Sequence, residues 1–383
     1  MPEADMSLAD ARNDNAAVHF IDRHVNEGRG YAPAFADPWR RMTYAGLQAD
    51  SGRFADALTR AGVGREQRLA LVMLDTIDFP VAFWGAIRAG VLPVPVNTLL
   101  TPDQIGYILA DSRAVGAVVS APLLPALAAT LARLPDLKLV VVAAPDGVAT
   151  STVHTDFADF LATGDATTQA VAAGPDEVAF WLYSSGSTGA PKGVKHVHAS
   201  LRATADTYGR QVLGIAENDV MFSAAKLFFA YGLGNSMTFP MSVGASAVLL
   251  PDRPTPEAVM GMMARHQPTL FGGVPTLYAS LLAHAAIGPG AGSARLRRCI
   301  SAGEALPEHI GTRWRAVVGT DILDGIGSTE MLHIFVSNRP DAIRYGTTGV
   351  AVPGYDLRIV DEAGGAVAPG ESGELLVRGP SAA

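Results

Sequence analysis

Apolar and polar residues recur along this chain at two periods, and the period switches again and again. Ala17 to Glu27 (AVHFIDRHVNE) and Thr43 to Arg60 (TYAGLQADSGRFADALTR) repeat apolar residues at helical spacing. Gly28 and Ala61-Gly62 are good stops for these two helices. Arg68 to Leu74 (RLALVML), Ala114 to Val119 and Leu137 to Ala143 are short aliphatic runs of the kind that form buried strands. A helix is expected through Phe79 to Gly90, then a short extended piece at Val94-Pro95-Val96. Thr101-Pro102-Asp103-Gln104 starts another helix, with Thr101 as cap and Pro102 in the first turn.

The alternation continues in the second half. Glu177 to Leu182, Ala245 to Leu250, Leu270 to Gly273, Arg298 to Ser301 and Ile322 to Gly325 read as strands, and Thr255 to His266 as a capped helix. Strands alternating with helices predict an α/β fold with parallel sheets covered on both faces. From about Gly349 the pattern changes to short alternating strands. Tyr355 to Asp361 and Glu374 to Gly379, joined through a Glu362-Ala363-Gly364-Gly365 turn, predict antiparallel structure.

Composition narrows the function classes. The 383 residues are 49% hydrophobic and 17% charged, enough to bury a large core. With 29 Lys and Arg against 37 Asp and Glu, the net charge is −8 and no dense basic tract occurs, which argues against nucleic acid or an anionic membrane as partner. One cysteine, Cys299, rules out an internal disulfide framework and fits a reducing cytoplasm. No apolar run approaches the ~18 residues of a membrane span, and the stretch from Leu69 to Phe79 is broken by Asp75 and Asp78.

The most informative chemistry lies at Tyr183 to His198, YSSGSTGAPKGVKHVH. Small residues let the backbone bend so that successive N–H groups point at one anion, and the hydroxyls and lysines add donors and charge. The common nucleotide loop GxxxxGK[ST] matches nowhere, because Lys192 is followed by Gly193. The string instead resembles the phosphate loop of the AMP-forming adenylating enzymes. Further segments resemble that superfamily in the same order: Ser301 to Leu306 (SAGEAL), Asp324 to Glu330 (DGIGSTE), Gly346 to Gly349 (GTTG) and Arg378.

The resemblance implies two helix-flanked, mostly parallel β-sheets plus a C-terminal antiparallel, barrel-like β subdomain. It makes residues 1–383 an AMP-binding N-terminal domain with subdomains of about 1–180, 181–345 and 346–383. It implies that Ser184, Ser185, Gly186, Ser187, Thr188, Gly189 and Lys192 cradle the phosphates of ATP. Gly303, Glu304 and Ala305 give a flat slot for the purine, and Asp324, Gly325, Ile326, Gly327, Ser328 and Thr329 complete the nucleotide site. Thr188 and Glu330 are the implied Mg²⁺ ligands, and Thr188, Lys192 and Glu330 the implied catalytic set. Magnesium suits few protein carboxylates plus phosphate oxygens and water.

Lys226 to Gly232 (KLFFAYG) occupies the acyl pocket of the superfamily. Amino-acid-activating relatives place Asp at the Phe229 position, so an amino acid is an unlikely substrate here. Together with Met331 to Phe335 (MLHIF), the segment resembles the benzoate–CoA ligases. That implies a benzoate site at Phe229, Ala230, Tyr231, Gly327, His333 and Ile334, with His333 neutral or charged. His196 and His198 read as helix-start or packing residues.

The expected reaction joins benzoate, or a small substituted benzoate, to AMP and then to CoA, in the cytoplasm. Loading of a carrier protein, or ligand binding without turnover, are the alternatives. A serine hydrolase is disfavoured, since no G-x-S-x-G occurs. Full-length relatives continue into a ribose-binding motif, a hinge and a mobile C-terminal domain carrying a catalytic Lys. None is present before Ala383. The expectation is therefore an N-terminal piece of low adenylation rate, with the C-terminal domain as its natural partner.

Overall fold

The computed structural model describes residues 13–144, 154–185 and 189–383. Strands β1 (Pro33–Ala36) and β2 (Arg41–Thr43) come first, then β3 (Arg68–Val72), β4 (Leu92–Pro95), β5 (Ala114–Ser120), β6 (Leu139–Ala143) and β7 (Thr155–Asp156). The last five form a wholly parallel sheet in the order β4-β3-β5-β6-β7. Its helices start where the sequence places them. Thr43 caps Tyr44–Arg60 by accepting from Gly46 N, and Thr101 with Gln104 makes a full capping box on Pro102–Asp111.

Strands β8 (Val178–Ser185) and β9 (Pro191–Val197) pair antiparallel as a separate hairpin, with Ser184 opposite Lys192 and Phe180 opposite His196. Thus Lys192 to Val197 is strand. His196 lies within it, and His198 opens the helix His198–Thr204.

The remaining strands are β10 (Val220–Ser223), β11 (Ser246–Val248), β12 (Leu270–Gly273), β13 (Arg298–Ser301), β14 (Ile322–Gly327), β15 (Ile334–Ser337), β16 (Val350–Ala351), β17 (Asp356–Val360) and β18 (Glu374–Arg378). A nine-stranded sheet runs β16-β15-β14-β13-β12-β10-β11-β1-β2, parallel from β14 to β1 with antiparallel edges. Strands β1 and β2 were not legible in the sequence. They join this second sheet although they precede every strand of the first. Strands β17 and β18 form a two-stranded antiparallel sheet, as the alternating pattern predicts.

The main core lies between the two large sheets, around Phe20, Phe54, Phe83, Trp84 and Phe180, all fully buried. Helices Tyr44–Arg60 and Asp78–Arg88 meet at Gly85, where an added Cβ would lie 2.7 Å from Phe54 Cβ. The same helix ends at Arg88, which is 1% exposed and makes a bidentate pair with Asp22 at 2.6 and 3.2 Å. A second core, built on Phe271, Tyr278 and Trp314, fills the space under helices Pro256–His266, Pro275–Ala283 and Glu308–Val318. Among the described residues, no helix is long and apolar enough to cross a membrane.

Candidate active site

A parallel strand must be followed by a loop at its carboxyl end, so that edge of an α/β sheet gathers side chains from many parts of the chain. Both large sheets use this edge here. A cavity of about 880 Å³ is walled by Met73, Leu74 and Asp75 after β3 and by Thr98 and Leu99 after β4. From the other sheet come Ala225, Lys226, Phe228 and Phe229 after β10, and Val274 and Thr276 after β12. Ala302, Gly303 and Glu304 follow β13, and Gly327, Ser328 and Thr329 close β14.

All six expected aryl-site residues, Phe229, Ala230, Tyr231, Gly327, His333 and Ile334, line this one cavity. Tyr231 does not offer its hydroxyl to a ligand. The O–H reaches Gly273 O at 3.1 Å and Ile300 O at 3.0 Å, which pins the ring across the ends of β12 and β13. Phe228 is 5% exposed, whereas Phe229 is 46% exposed and stands at the mouth, with ring centroids 4.6 Å apart.

His333 is 2% exposed and packs edge-on against Phe239 at 4.4 Å, with Tyr208 and Tyr231 alongside. Burial lowers its pKa to about 3, so the ring is neutral at physiological pH. Of the two expected states only the uncharged one fits. Its Nε2 lies 3.3 Å from Tyr231 O; a carbonyl can only accept, so Nε2 carries the proton. The ring comes this close because residue 234 is glycine: a Cβ there would fall on His333 Cδ2.

Of the nucleotide residues, Gly303, Glu304, Gly327, Ser328 and Thr329 line the same cavity, and Ala305 is exposed beside Glu304. Ile326 is 39% exposed but is not part of the wall. Asp324 turns inward. It is 3% exposed, accepts from Leu306 N at 3.3 Å, and is raised to about 6 by burial. It therefore acts as a strut for the Ser301–Leu306 loop. Gly325 is held in β14, where a Cβ would meet Ile334 and Val336 O.

The candidate phosphate hairpin reaches the cavity through Thr329, whose carbonyl oxygen lies 2.9 Å from His196 Nε2. Gly186, Ser187 and Thr188 lie outside the described residues, and Ser185 is described only through its backbone pairing with Pro191. Gly189 has φ +91°, a conformation that favours glycine, and among the described residues no atom lies within 4 Å of a Cβ built there. Lys192 is exposed. Ser184 Oγ donates to Glu330 Oε1 at 3.3 Å, which brings the hairpin and the candidate metal carboxylate together.

Glu330 belongs to a turn held from three sides. Thr329 O accepts from Leu332 N, Glu330 O from Ala383 N at 2.9 Å, and Met331 O from Ser381 Oγ at 2.7 Å. Leu332 adopts φ +64°, which is strained for a branched side chain. This reversal leaves Glu330 exposed while His333 goes into the cavity. Arg378 pairs with Asp356 at 2.6 Å on the surface, away from the cavity wall.

Sequence reasoning missed Asp75 as a cavity residue and gave Lys226, within the expected acyl-pocket segment, no role of its own. Asp75 is 3% exposed, both its oxygens lie 3.3 Å from Leu227 N, and burial raises it to about 6. Lys226 Nζ donates to the carbonyls of Leu250 and of Asp252, the latter at 2.7 Å, and burial lowers its pKa. The one signal was the interruption of the apolar run at Asp75. Among the described residues no cluster of three or more His, Cys, Asp or Glu is placed to hold a metal.

Comparison with known proteins agrees with this geometry. The family model described as AMP-binding enzyme matches residues 21–383. The chain is 52% identical to the benzoate–CoA ligase of Thauera aromatica, over 96% of this chain and 69% of that protein. It is 50% identical to the 4-hydroxybenzoate–CoA/benzoate–CoA ligase of Rhodopseudomonas palustris, over 97% of this chain and 68% of that protein. The crystal structure of a benzoate CoA ligase from Burkholderia xenovorans LB400 superposes with a TM-score of 0.89 at 47% identity, covering 97% of this chain and 72% of that one. A cavity shared by the Ser301–Leu306 loop and an aromatic pocket, beside a serine- and glycine-rich hairpin, is thus joined to a match over nearly the whole chain: this protein belongs to the AMP-binding enzyme family.

Proposed function

We propose that this chain carries the acid- and nucleotide-binding part of a benzoate–CoA ligase. One observation carries the reading. Residues of the purine slot (Gly303, Glu304), of the phosphate turn (Ser328, Thr329) and of the aryl pocket (Ala230, Tyr231, His333, Ile334) line a single cavity. A carboxylate resists acyl transfer because its charge is delocalised and its oxygens leave badly. In the proposed first step a benzoate oxygen attacks the α-phosphorus of ATP, the bond to the β-phosphate breaks, and pyrophosphate departs. In the second, the CoA thiolate attacks the acyl carbon of benzoyl-AMP and AMP leaves with the bonding electrons.

The side chains contribute holding and exclusion. Tyr231, pinned by two carbonyls, and the neutral His333 offer flat, uncharged walls to an arene. Gly327 lets β14 pack closely against the His333 backbone, since a Cβ there would lie 2.7 Å from His333 O. Water is kept out by the core behind His333, which includes Phe239 and Tyr208. The neighbouring hydroxyls of Ser328 and Thr329 supply donors for phosphate.

A lone exposed Glu330 beside the Ser184 hydroxyl fits Mg²⁺, which takes few protein carboxylates, and Glu330 with Thr188 would hold it. When bound, the ion supplies neutralising charge to the phosphates. CoA as acceptor and a cytoplasmic site of action, where ATP and CoA are at hand, belong to the same reading.

Calorimetric titration tests it, using benzoate and its 2-, 3- and 4-substituted derivatives with and without a non-hydrolysable ATP analogue. Benzoate is expected to bind and to bind more tightly with nucleotide present. Tight binding of long-chain fatty acids with no binding of benzoate would overturn the assignment.

A further inference from the structure

We propose that His196 is a positioning residue for nucleotide binding, which fastens the phosphate hairpin to the Thr329–Leu332 turn so that both close on one triphosphate. The proposal rests on the nucleotide site of the preceding section. His196 lies in β9, is fully buried, and stacks on Phe180 of β8 with centroids 5.1 Å apart and planes 25° from parallel. Its Nε2 is 2.9 Å from Thr329 O, across 133 residues of sequence. Since the carbonyl only accepts, Nε2 is the donor and Nδ1 is left as a bare acceptor.

That second nitrogen is the informative atom. Among the described residues Nδ1 has no hydrogen-bond partner, although it is buried. An unpaired buried polar atom carries a desolvation cost that an aliphatic side chain filling the same space would avoid. Packing alone therefore argues against histidine at this position. The bond made by Nε2 is what the imidazole adds.

The bond is also well placed. Thr329 O accepts from Leu332 N at 3.0 Å as well, so His196 braces the carbonyl that closes the strained turn at Leu332. Four register steps along the hairpin, Lys192 faces Ser184, whose hydroxyl reaches Glu330. Two bonds thus tie the hairpin to the turn. The Ser184 bond is long and exposed to competing water, whereas the His196 bond is shorter, of ordinary length, and partly buried.

The test compares His196→Leu and His196→Met, which keep apolar bulk, with His196→Gln, whose amide N–H can reach the Nε2 position. Each variant is titrated calorimetrically with the magnesium complex of AMPPNP, a non-hydrolysable ATP analogue, and separately with adenosine. Loss of the brace is expected to weaken the triphosphate about tenfold in the Leu or Met variant. Adenosine, which has no phosphate for the hairpin to hold, is expected to stay within about twofold. Gln is expected to recover most of the loss, and it still reports on the bond if an apolar variant does not fold.

Unchanged triphosphate affinity in a folded apolar variant would overturn the proposal. So would equal loss for adenosine, or a Gln variant that binds no better than Leu or Met. A wild-type chain that binds benzoate but not the analogue would remove the nucleotide site and this inference with it. Normal nucleotide binding by both the wild-type chain and the Leu variant would remove the inference alone.

Discussion

Replacing Gly234 by alanine probes the aryl wall from behind. Gly234 has φ −61° and ψ −55°, ordinary helical values, so alanine meets no backbone objection there. By itself the exchange is expected to stabilise the chain by about 0.4–1 kcal/mol, through lower entropy of the unfolded state. The new Cβ, however, falls on His333 Cδ2 and lies 2.8 Å from Nε2 and 3.0 Å from Phe239 Cζ. Overpacking of this kind costs about 1–3 kcal/mol. Moving the ring also gives up the Nε2 bond to Tyr231 O, a further ~0.5–1.5 kcal/mol.

The net expectation for Gly234→Ala is a loss of roughly 1–3 kcal/mol, with about tenfold weaker benzoate binding as the imidazole is pushed toward the ligand. The assay is a double-mutant cycle by urea unfolding, with benzoate titrations alongside. His333→Ala empties the space that Cβ needs, so on that background Gly234→Ala is expected to cost no more than about 0.5 kcal/mol. The coupling is then at least about 0.5 kcal/mol. Additive effects, or undiminished benzoate affinity in the single variant, would refute the claim that residue 234 must be glycine for the sake of His333.

Three further outcomes are expected. Arg88→Met leaves the buried Asp22 carboxylate with Gln48 Nε2, at 2.9 Å, as its one remaining side-chain donor among the described residues, and is expected to cost about 3–5 kcal/mol in denaturant unfolding, with recovery when Asp22→Asn is added. Glu330→Gln keeps an oxygen for Ser184 but removes the charge. Magnesium–AMPPNP binding is expected to fall about tenfold to a hundredfold while the melting temperature and benzoate affinity hold. Stability is expected to fall between pH 6.5 and 4. The contributions of neutral His19, His196, His198 and His333, lowered by burial to about 4, 4, 4 and 3, are present above their unfolded value near 6.5 and lost as pH drops through the folded values. Asp75 and Asp324, raised by burial to about 6, act in the opposite sense: their contribution is present at low pH and lost as pH rises through 6. Four imidazoles against two carboxyls leave a net loss of stability as pH falls from 6.5 to 4. Thermal melts from pH 7.5 to 4.5 check it, and a flat or inverted profile would contradict it.

The local order of strands and helices was legible because short-range chemistry decides it. Thr101 with Gln104 caps a helix, Thr255 caps another, and aliphatic runs such as Leu69 to Val72 are strands, all as the residues alone dictate. Segments that line the cavity were legible too, since each depends on small residues and hydroxyls at fixed spacing, as in Ser301 to Leu306 and Asp324 to Glu330.

What lay beyond the sequence was everything set by contact between distant segments. Strand β1 lacks a distinctive run, and pairing with Ala247 and Val248 on one side and with β2 on the other makes it a strand. His196 looked like packing until the fold set it against Thr329, and Asp75 was only an interruption until its carboxylate met Leu227 N. His333 was equally open to either charge. The structure decided it by surrounding the ring with Phe239, Tyr208 and Tyr231, because the free energy of a proton depends on the solvent a group has lost, and that loss is a property of the assembled interior.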